Sequence, residues 1–444
     1  MTTRFATIPA QPSFRLANAR VPVDLLATPQ PLARNSGLAA LDIDIAQGRI
    51  ERLSAAGTTG AGDSRPVVDL RGGLALPRFV DMHTHLDKGH IFARSPNPDG
   101  THHGARTTVG ADREARWTAA DVAARMDFAL RCAFAHGTGA NRTHNDSIGR
   151  QTEISWPVLA EMRDTWKDRI ALQAVALFPT LFAIDDPAQF NAIVATVARH
   201  GGLLGGLTFM GEAPDAKLAA AFDRVFAAAA ANGLDLDFHV DESDSPNATT
   251  LEALADAALR AKFKGRIVAG HCCRLSLETE SGRARVIDKL GEAGIAIVSL
   301  PMCNMYLQDR TPGRTPRWRG IAPLIELDAA GIAVAVASDN TRDPFYAYGD
   351  LDMLEVVREA TRIAHFDHQP KNWLRMLSAA PAGIIGLADQ GQFAEGQSAD
   401  LVLVRARTEN ELNARPQADR IVLHHGRAID TTVPDYRELD TLDG

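Results

Sequence analysis

An alternation of two patterns is the feature that most constrains the fold of this chain. From about residue 75, eight short apolar runs are separated by longer stretches with helical periodicity. The runs are GLALPRFVDMHTH, GANRTHND, IALQAVALF, GLLGGLTF, LDLDFHVDE, RIVAGHCC, IAIVSLPMC and IAVAVASDN. Such alternation indicates strand–helix units that share a parallel sheet. Eight units predict an α/β fold, a closed (β/α)8 TIM-like barrel.

Three of the amphipathic stretches between the runs end in a glycine. They read AADVAARMDFALRCAFAHG, DAKLAAAFDRVFAAAAANG and TLEALADAALRAKFKG. Glycine is the preferred residue just past a helix, because it adopts the left-handed conformation without a side-chain clash. The sequence therefore predicts helices that stop at Gly137, Gly233 and Gly265.

The two flanks of the barrel segment have a different pattern. Residues 14–74 and 396–430 contain short alternating segments with glycine-centred turns, which is typical of β-strands. Strands from the two ends of a barrel can pair with each other. We therefore expect a small β-sheet domain built from residues 1–74 and 393–444, with the catalytic barrel in residues 75–392.

Composition favours small or neutral partners. Hydrophobic residues make up 45% and charged residues 23%, as in an ordinary globular protein. A net charge of −8 gives no basic surface for nucleic acid or an anionic membrane. The N-terminus lacks an apolar signal segment, and no run of eighteen apolar residues occurs. Four cysteines are too few for a disulfide framework. We expect a cytoplasmic homo-oligomer that binds a small molecule.

Two histidines end the first apolar run, at His83 and His85, between Asp81 and Asp87. Residues i and i+2 of a strand point the same way, so both imidazoles face one side. That is a geometry suited to metal binding, although an isolated His-x-His pair is weak evidence for a metal.

Polar residues at the ends of other runs strengthen the metal hypothesis. In a parallel barrel, chemistry takes place at the carboxyl ends of the strands. Five of the eight runs end in candidate ligands or acids: His83 and His85, His144 and Asp146, His239 and Glu242, His271, and Asp339. Each has a structural alternative, such as a helix N-cap for Asp339. Together they predict a catalytic divalent site that leaves one position open for water.

Glu242 lies three residues after His239. At the end of a strand it can lie beside a metal ion without binding it. A carboxylate in that position suits a proton shuttle, which takes a proton from water and returns it to the leaving group.

In order along the chain, the motifs VDMHTHLDK, HVDE, GH and SDN resemble those of the amidohydrolase superfamily, in its cytosine deaminase-like branch. The loop LPMCNMYLQDRTPGRTPRWRG is similar to the substrate loop of that branch. The resemblance implies metal ligands at four positions, His83, His85, His239 and Asp339. It implies that His271 holds the attacking hydroxide, that Glu242 is the acid/base and that Asp339 also takes a proton. Superfamily members with two metal ions bridge them by a carboxylated lysine, and the third and fourth runs contain no lysine. The resemblance therefore implies one divalent ion, Fe²⁺ or Zn²⁺.

Three positions depart from the cytosine deaminases of this branch. Thr180 stands where they carry glutamine, Asn340 follows Asp339 where they carry a second aspartate, and Phe345 takes the place of a stacking tryptophan. An amide is a weaker acceptor than a carboxylate, and a threonine leaves volume beside the ring. We therefore predict that unsubstituted cytosine is a poor substrate and that a substituted or larger amino-heterocycle is preferred.

The leading functional hypothesis is a metal-dependent hydrolase that removes an exocyclic amine from a nitrogen heterocycle, releasing ammonia or an amine. The substrate classes are cytosine, a substituted cytosine or a related ring. The alternatives are hydrolysis of a cyclic amide or of an N-alkyl aminotriazine. A third alternative is a non-catalytic binding protein, which the retention of every predicted ligand and of Glu242 disfavours.

Overall fold

The structure is a computed structural model that describes residues 5–28, 37–58, 63–369, 373–387 and 390–442. The strands are β1 Ser13–Pro22, β2 Leu38–Ala46, β3 Arg49–Ala55, β4 Val67–Asp69, β5 Leu74–Pro77, β6 Phe79–Thr84, β7 Thr138–Asp146, β8 Ala171–Leu177, β9 Leu203–Leu207, β10 Leu236–Val240, β11 Ile267–His271, β12 Ile295–Ser299, β13 Val334–Val336, β14 Leu401–Val404, β15 Ile421–His424 and β16 Arg427–Ala428. The α-helices are α1 His102–Arg116, α2 Ala119–His136, α3 Gln151–Trp166, α4 Phe182–Asp185, α5 Pro187–Arg199, α6 Ala216–Asn232, α7 Thr250–Ala261, α8 Glu280–Ala293, α9 Pro301–Leu307, α10 Leu324–Ala329, α11 Met353–Ala364, α12 Ala379–Ile384 and α13 Glu409–Ala414.

Strands β6 to β13 pair in chain order as one eight-stranded sheet. Its β10 and β11 are buried along their whole length, as expected of parallel strands with both faces covered. The sheet closes where the segment after β13 meets β6. There the Asp339 N–H donates to the His83 carbonyl at 2.8 Å, and the Ser338 N–H donates to Asp81 Oδ1 at 3.0 Å. The predicted TIM-like barrel is confirmed.

A second eight-stranded sheet contains β1–β5 from the N-terminal part of the chain and β14–β16 from the C-terminal part. Within it β14 runs antiparallel to β5, so the two ends of the chain share one sheet, as predicted. The first apolar run therefore divides between two sheets, with β5 in this one and β6 in the barrel. At thirteen residues the run is long enough for two strands, each typically roughly five or six residues long.

The chain packs as two compact units. One comprises residues 1–80, 131–140 and 352–433, and the other comprises residues 81–130, 141–351 and 434–444. The domain boundaries at residues 74 and 392 stay predictions, because compact packing does not show which segments fold on their own. Within the described residues, no helix is long and apolar enough to cross a membrane.

Two of the three predicted helix ends are confirmed: α2 ends at His136, directly before Gly137, and α6 ends at Asn232, directly before Gly233. Gly233 and Gly294 adopt the left-handed conformation after α6 and α8, with φ of 63° and 68°. The expectation that α7 extends to Gly265 is wrong: the helix ends at Ala261, and Lys262 takes the left-handed position with φ of 47°. The Lys262 N–H bonds to the Ala258 and Leu259 carbonyls, and these cap bonds offset the backbone strain of a non-glycine residue.

Candidate metal centre and active site

Left-handed backbone recurs at the carboxyl ends of the barrel strands. Asp241 after β10, His271 at the end of β11 and Asp339 after β13 have φ of 48°, 68° and 64°. Non-glycine residues seldom adopt such angles, and they cluster at functional sites where surrounding structure maintains the strain. The sharp change of direction places polar side chains of separate strands at one end of the barrel.

The four predicted metal ligands converge. Asp339 Oδ1 lies 3.2 Å from His85 Nε2 and 3.5 Å from His83 Nε2. His239 Nε2 lies 3.1 Å from His85 Nε2. All four side chains are buried. His271 lies in the same cluster. One possible ligand atom from each of His83, His239, His271 and Asp339 lies within 4.8 Å of the corresponding atom of every other member.

Unsatisfied polar atoms in this cluster fit a divalent cation. Neither nitrogen of His83 and neither carboxylate oxygen of Asp339 makes a hydrogen bond to a described residue in good geometry. Burial lowers the pKa of His83, His85 and His239 far below the ordinary value, so the imidazoles are neutral and keep a lone pair for a metal. Buried polar atoms normally have partners. Three imidazoles and one carboxylate are a donor set that suits Zn²⁺ or Fe²⁺.

Glu242 lies beside this cluster and is held from two sides. Asn304 Nδ2 donates to Glu242 Oε1 at 3.1 Å, and His102 Nε2 lies 3.4 Å from Glu242 Oε2. Burial raises the pKa of Glu242, but the neighbouring His271 and the bonds from His102 and Asn304 outweigh burial and leave the pKa below its usual value. The carboxylate is therefore ionised at neutral pH and able to accept a proton.

A cavity of about 290 Å³ opens in front of the cluster. Among the residues that line it are His85, His239, Glu242, His271, Asn340 and Phe345. One face of α1 forms a wall, through His102, Arg106, Val109, Gly110 and Arg113. A second cavity of about 410 Å³ shares several lining residues with the first, among them His102, Arg106 and Glu242. The cluster of histidines and acids thus faces a space that admits a small molecule.

The three predicted substrate-binding residues differ in position. Phe345 and Asn340 line the cavity. Asn340 Nδ2 donates to Asp343 Oδ2 at 2.6 Å, which fixes the orientation of its amide. Thr180 is fully buried and is not among the residues that line the cavity, although its neighbour Pro179 is.

Lys88 is a cavity residue that sequence reasoning missed. Only 4% of it is exposed, and its Nζ donates to Asp146 Oδ1 at 2.6 Å. Arg113 donates to the other oxygen of Asp146 at 2.9 Å. The signal was present, because Lys88 follows the first two ligands in HTHLDKGH. His102 and Asn304 were also missed. His102 lies in the polar segment THHG, whereas Asn304 is the one amide in the mostly apolar segment PMCNMY.

His144, at the end of β7, was predicted at the mouth of the barrel but lies inside the histidine cluster. Its ring centroid is 4.0 Å from that of His83 and 4.6 Å from that of His239. Its Nε2 lies 3.7 Å from Asp237 Oδ1, and burial lowers its pKa well below the ordinary value. His144 therefore packs as a neutral ring against two of the predicted ligands.

Comparison with known proteins places the chain among hydrolases. Residues 123–429 match the model of the amidohydrolase family. A pterin deaminase of Rhizobium rhizogenes (strain K84 / ATCC BAA-868) is 53% identical over 445 residues, covering 100% of both chains. An N-isopropylammelide isopropyl amidohydrolase of Pseudomonas sp. (strain ADP) is 23% identical over 397 residues, covering 87% of this chain and 93% of the relative.

Solved structures agree with the sequence comparison. The 5-methylcytosine deaminase from Klebsiella pneumoniae, liganded with 5-fluorocytosine, superposes with a TM-score of 0.80 at 25% identity, covering 94% of this chain and 97% of the other. An N-isopropylammelide isopropylaminohydrolase from Burkholderia multivorans has a TM-score of 0.73 at 25% identity, covering 96% and 100%. The resemblance inferred from the motifs is confirmed: the chain belongs to the amidohydrolase family.

Proposed function

We propose that this chain is a metal-dependent hydrolytic deaminase and that a pterin is its substrate. The observation that carries the proposal is the buried cluster of His83, His85, His239 and Asp339, with Glu242 beside it and a cavity in front of it. The full-length relative at 53% identity, a pterin deaminase, supports the choice of ring. A pterin is a fused bicyclic 2-amino-4-oxo heterocycle, which agrees with the prediction that a larger ring than cytosine is preferred.

His83, His85, His239 and Asp339 would hold one ion, Zn²⁺ or Fe²⁺. When bound, a divalent ion would supply the positive charge that makes a water molecule nucleophilic at neutral pH. Glu242 accepts one proton of the attacking water and delivers it to a ring nitrogen. Asp339 passes the second proton to the exocyclic nitrogen. The water oxygen bonds to the ring carbon, the carbon–nitrogen bond breaks, and ammonia leaves.

The cavity supports a compact planar substrate. At about 290 Å³ it lies at the lower limit of the roughly 300–1,000 Å³ typical of small-molecule sites. The Phe345 ring offers a face for stacking, and Asn340 offers a polar group to the ring edge. Asn340 Nδ2 donates to Asp343, and its Oδ1 accepts a weak hydrogen bond from the Cys303 thiol at 3.8 Å. The second lone pair of Oδ1 remains to accept a hydrogen bond from a ring N–H. The predicted homo-oligomeric state and cytoplasmic location stay predictions.

Substrate loss over a panel of rings, followed by chromatography with the products identified, tests the proposal. The panel holds pterin, cytosine, 5-methylcytosine, N-isopropylammelide and a hydantoin, with Zn²⁺- and Fe²⁺-loaded protein assayed separately. We expect the highest kcat/KM with pterin and a low value with cytosine. A preference for N-isopropylammelide would favour the N-alkyl aminotriazine alternative, and turnover of the hydantoin alone would favour the cyclic amide alternative. Metal-loaded protein that turns over no ring would contradict the enzymatic assignment.

A further inference from the structure

Asn304 connects the two polar groups that flank the metal cluster. It lies on α9, which begins directly after the seventh barrel strand, and it is fully buried. Its side-chain nitrogen is 3.1 Å from Glu242 Oε1 and 2.9 Å from His271 Nδ1. One amide group therefore contacts both the proposed acid/base and the histidine next to it.

The contact with Glu242 determines which way the amide faces. An ionised carboxylate only accepts hydrogen bonds, so it requires the NH₂ group of Asn304. The reversed amide would place Oδ1 against Glu242 Oε1, two acceptors in contact. The Oδ1 atom of Asn304 instead has no hydrogen-bond partner among the described residues. The nitrogen that faces Glu242 is the same nitrogen that faces His271.

This orientation determines the tautomer of His271. The amide NH₂ only donates, so His271 Nδ1 must accept and carry the lone pair. A nitrogen that accepts a hydrogen bond carries no proton, so this contact requires a neutral ring. A neutral imidazole with its lone pair on Nδ1 carries its proton on Nε2. Glu242 Oε1 does not compete for Nδ1, because it is 3.5 Å away, beyond ordinary hydrogen-bond length.

We infer that Asn304 is a positioning residue that keeps His271 in its Nε2-protonated form, as a hydrogen-bond donor toward the attacking oxygen. His271 Nε2 is buried with no partner among the described residues, and the ring lines the cavity, so this N–H is free for the reaction. The same tautomer sets His271 apart from His83 and His239, because a protonated nitrogen has no lone pair for a metal ion. The catalytic part of this inference rests on the proposed function, whereas the tautomer does not.

The test is a nitrogen-15 NMR measurement on zinc-loaded protein labelled at histidine. Protonated and unprotonated ring nitrogens have well-separated shifts, and His271→Gln assigns the signals of this ring. We expect Nε2 protonated in the wild type. In Asn304→Asp the new carboxylate accepts from Nδ1–H, so the protonated nitrogen changes, zinc content stays, and kcat falls by at least ~10²-fold. In a serine protease triad, an error of tautomer costs about 10⁴-fold.

Gln308→Glu is the matched control. Gln308 lies one turn beyond Asn304 and donates to the Glu242 carbonyl at 3.3 Å, so this change adds the same charge nearby without a bond to His271. Its His271 tautomer should match the wild type.

Wild-type His271 protonated on Nδ1 would overturn the inference, and this spectrum decides even if Asn304→Asp does not fold. Unchanged kcat in a variant whose tautomer has changed would overturn the catalytic part. If the wild type deaminates no ring, the proposed function is wrong but the inference about the tautomer is unaffected, because the spectrum is recorded without substrate.

Discussion

At the residue scale, the site depends on placing neutral imidazoles and ionised carboxylates side by side in a buried space. Burial favours the neutral form of each histidine, which suits metal binding. Glu242 stays ionised in the same surroundings because His102 and Asn304 bond to its two oxygens. An acid/base step requires such neighbours, neutral imidazoles and an ionised carboxylate a few ångströms apart.

Replacing Glu242 with glutamine should separate catalysis from metal binding. The amide keeps the shape of the side chain but cannot accept a proton from water, so kcat should fall by at least ~10²-fold, the usual scale of general acid–base catalysis. Elemental analysis should find the same metal content as in the wild type. Glu252→Gln, on the surface of α7 and bonded to Arg285, serves as the control and should keep full activity. Normal turnover in Glu242→Gln would refute the shuttle.

The sequence was sufficient to predict the histidine cluster and Glu242 beside it, but not Lys88, His102 and Asn304. The sequence could predict that His83, His85, His239 and Asp339 meet, because barrel topology brings the ends of all the strands together. The Lys88–Asp146 pair and the Asn304–Glu242 bond join residues far apart in the chain. Hydrophobic periodicity predicts which strand ends meet, but it does not predict which side chains then come within hydrogen-bond distance.

At the scale of single elements, β9 shows how closely the barrel strands approach. Its sequence LLGGL was predicted as a strand in spite of two glycines, which normally weaken one. A Cβ on Gly205 would lie 2.2 Å from the Asp237 carbonyl oxygen and 2.6 Å from Val175 Cγ1. The backbone of neighbouring strands therefore occupies the space of a side chain at this position.

Gly205→Ala should destabilise the protein. The methyl group meets backbone atoms that cannot move aside, and forced overpacking costs roughly 1–3 kcal/mol. Gly291→Ala is the matched control: on the exposed side of α8 the nearest atom to a new Cβ is 3.6 Å away, and alanine in a helix gains about 0.5–1 kcal/mol. Urea unfolding followed by circular dichroism should show a lower free energy of unfolding than the wild type for Gly205→Ala and a higher one for Gly291→Ala. Equal stabilities would contradict the close approach at β9.

The start of α11 predicts a dependence of stability on pH. Asp352 caps this helix and accepts two bonds from Arg420, both at 2.6 Å. Burial raises the pKa of Asp352, but Arg420 outweighs it and leaves the pKa below the ordinary value. The folded state then binds this proton less readily than the unfolded state, so the stabilisation is present above the unfolded pKa of about 3.9 and is lost as pH falls.

Asp352→Asn should therefore be less stable than the wild type at pH 7, while the difference shrinks as pH falls from about 5 toward 3. The midpoint of urea unfolding, measured at several pH values, gives this comparison. Asp367→Asn, which removes an exposed carboxylate, is the control for the loss of one charge. A constant difference across the range would show that Asp352 contributes no linked proton.

At the scale of the whole molecule, bound metal should stabilise the fold. A ligand that binds only the folded state adds free energy by mass action, about 2.7 kcal/mol when free metal is at one hundred times its dissociation constant. Chelation should lower the thermal midpoint, and Zn²⁺ or Fe²⁺ should restore it. The midpoint of His239→Ala should not respond to chelator, because a ligand is missing. An unchanged thermal midpoint of the wild type after chelation would argue against a metal ion at this site.

The closure of the barrel has a consequence for biosynthesis. The bond from the Asp339 N–H to the His83 carbonyl joins the first strand of the barrel to the segment after the last, and the same two residues are predicted metal ligands. A ribosome that has made His83, His85 and His239 has still not made Asp339. The emerging polypeptide therefore lacks one of the four predicted ligands until residue 339 has been made. The set of four can be completed only when the last barrel strand and the segment after it meet the first strand.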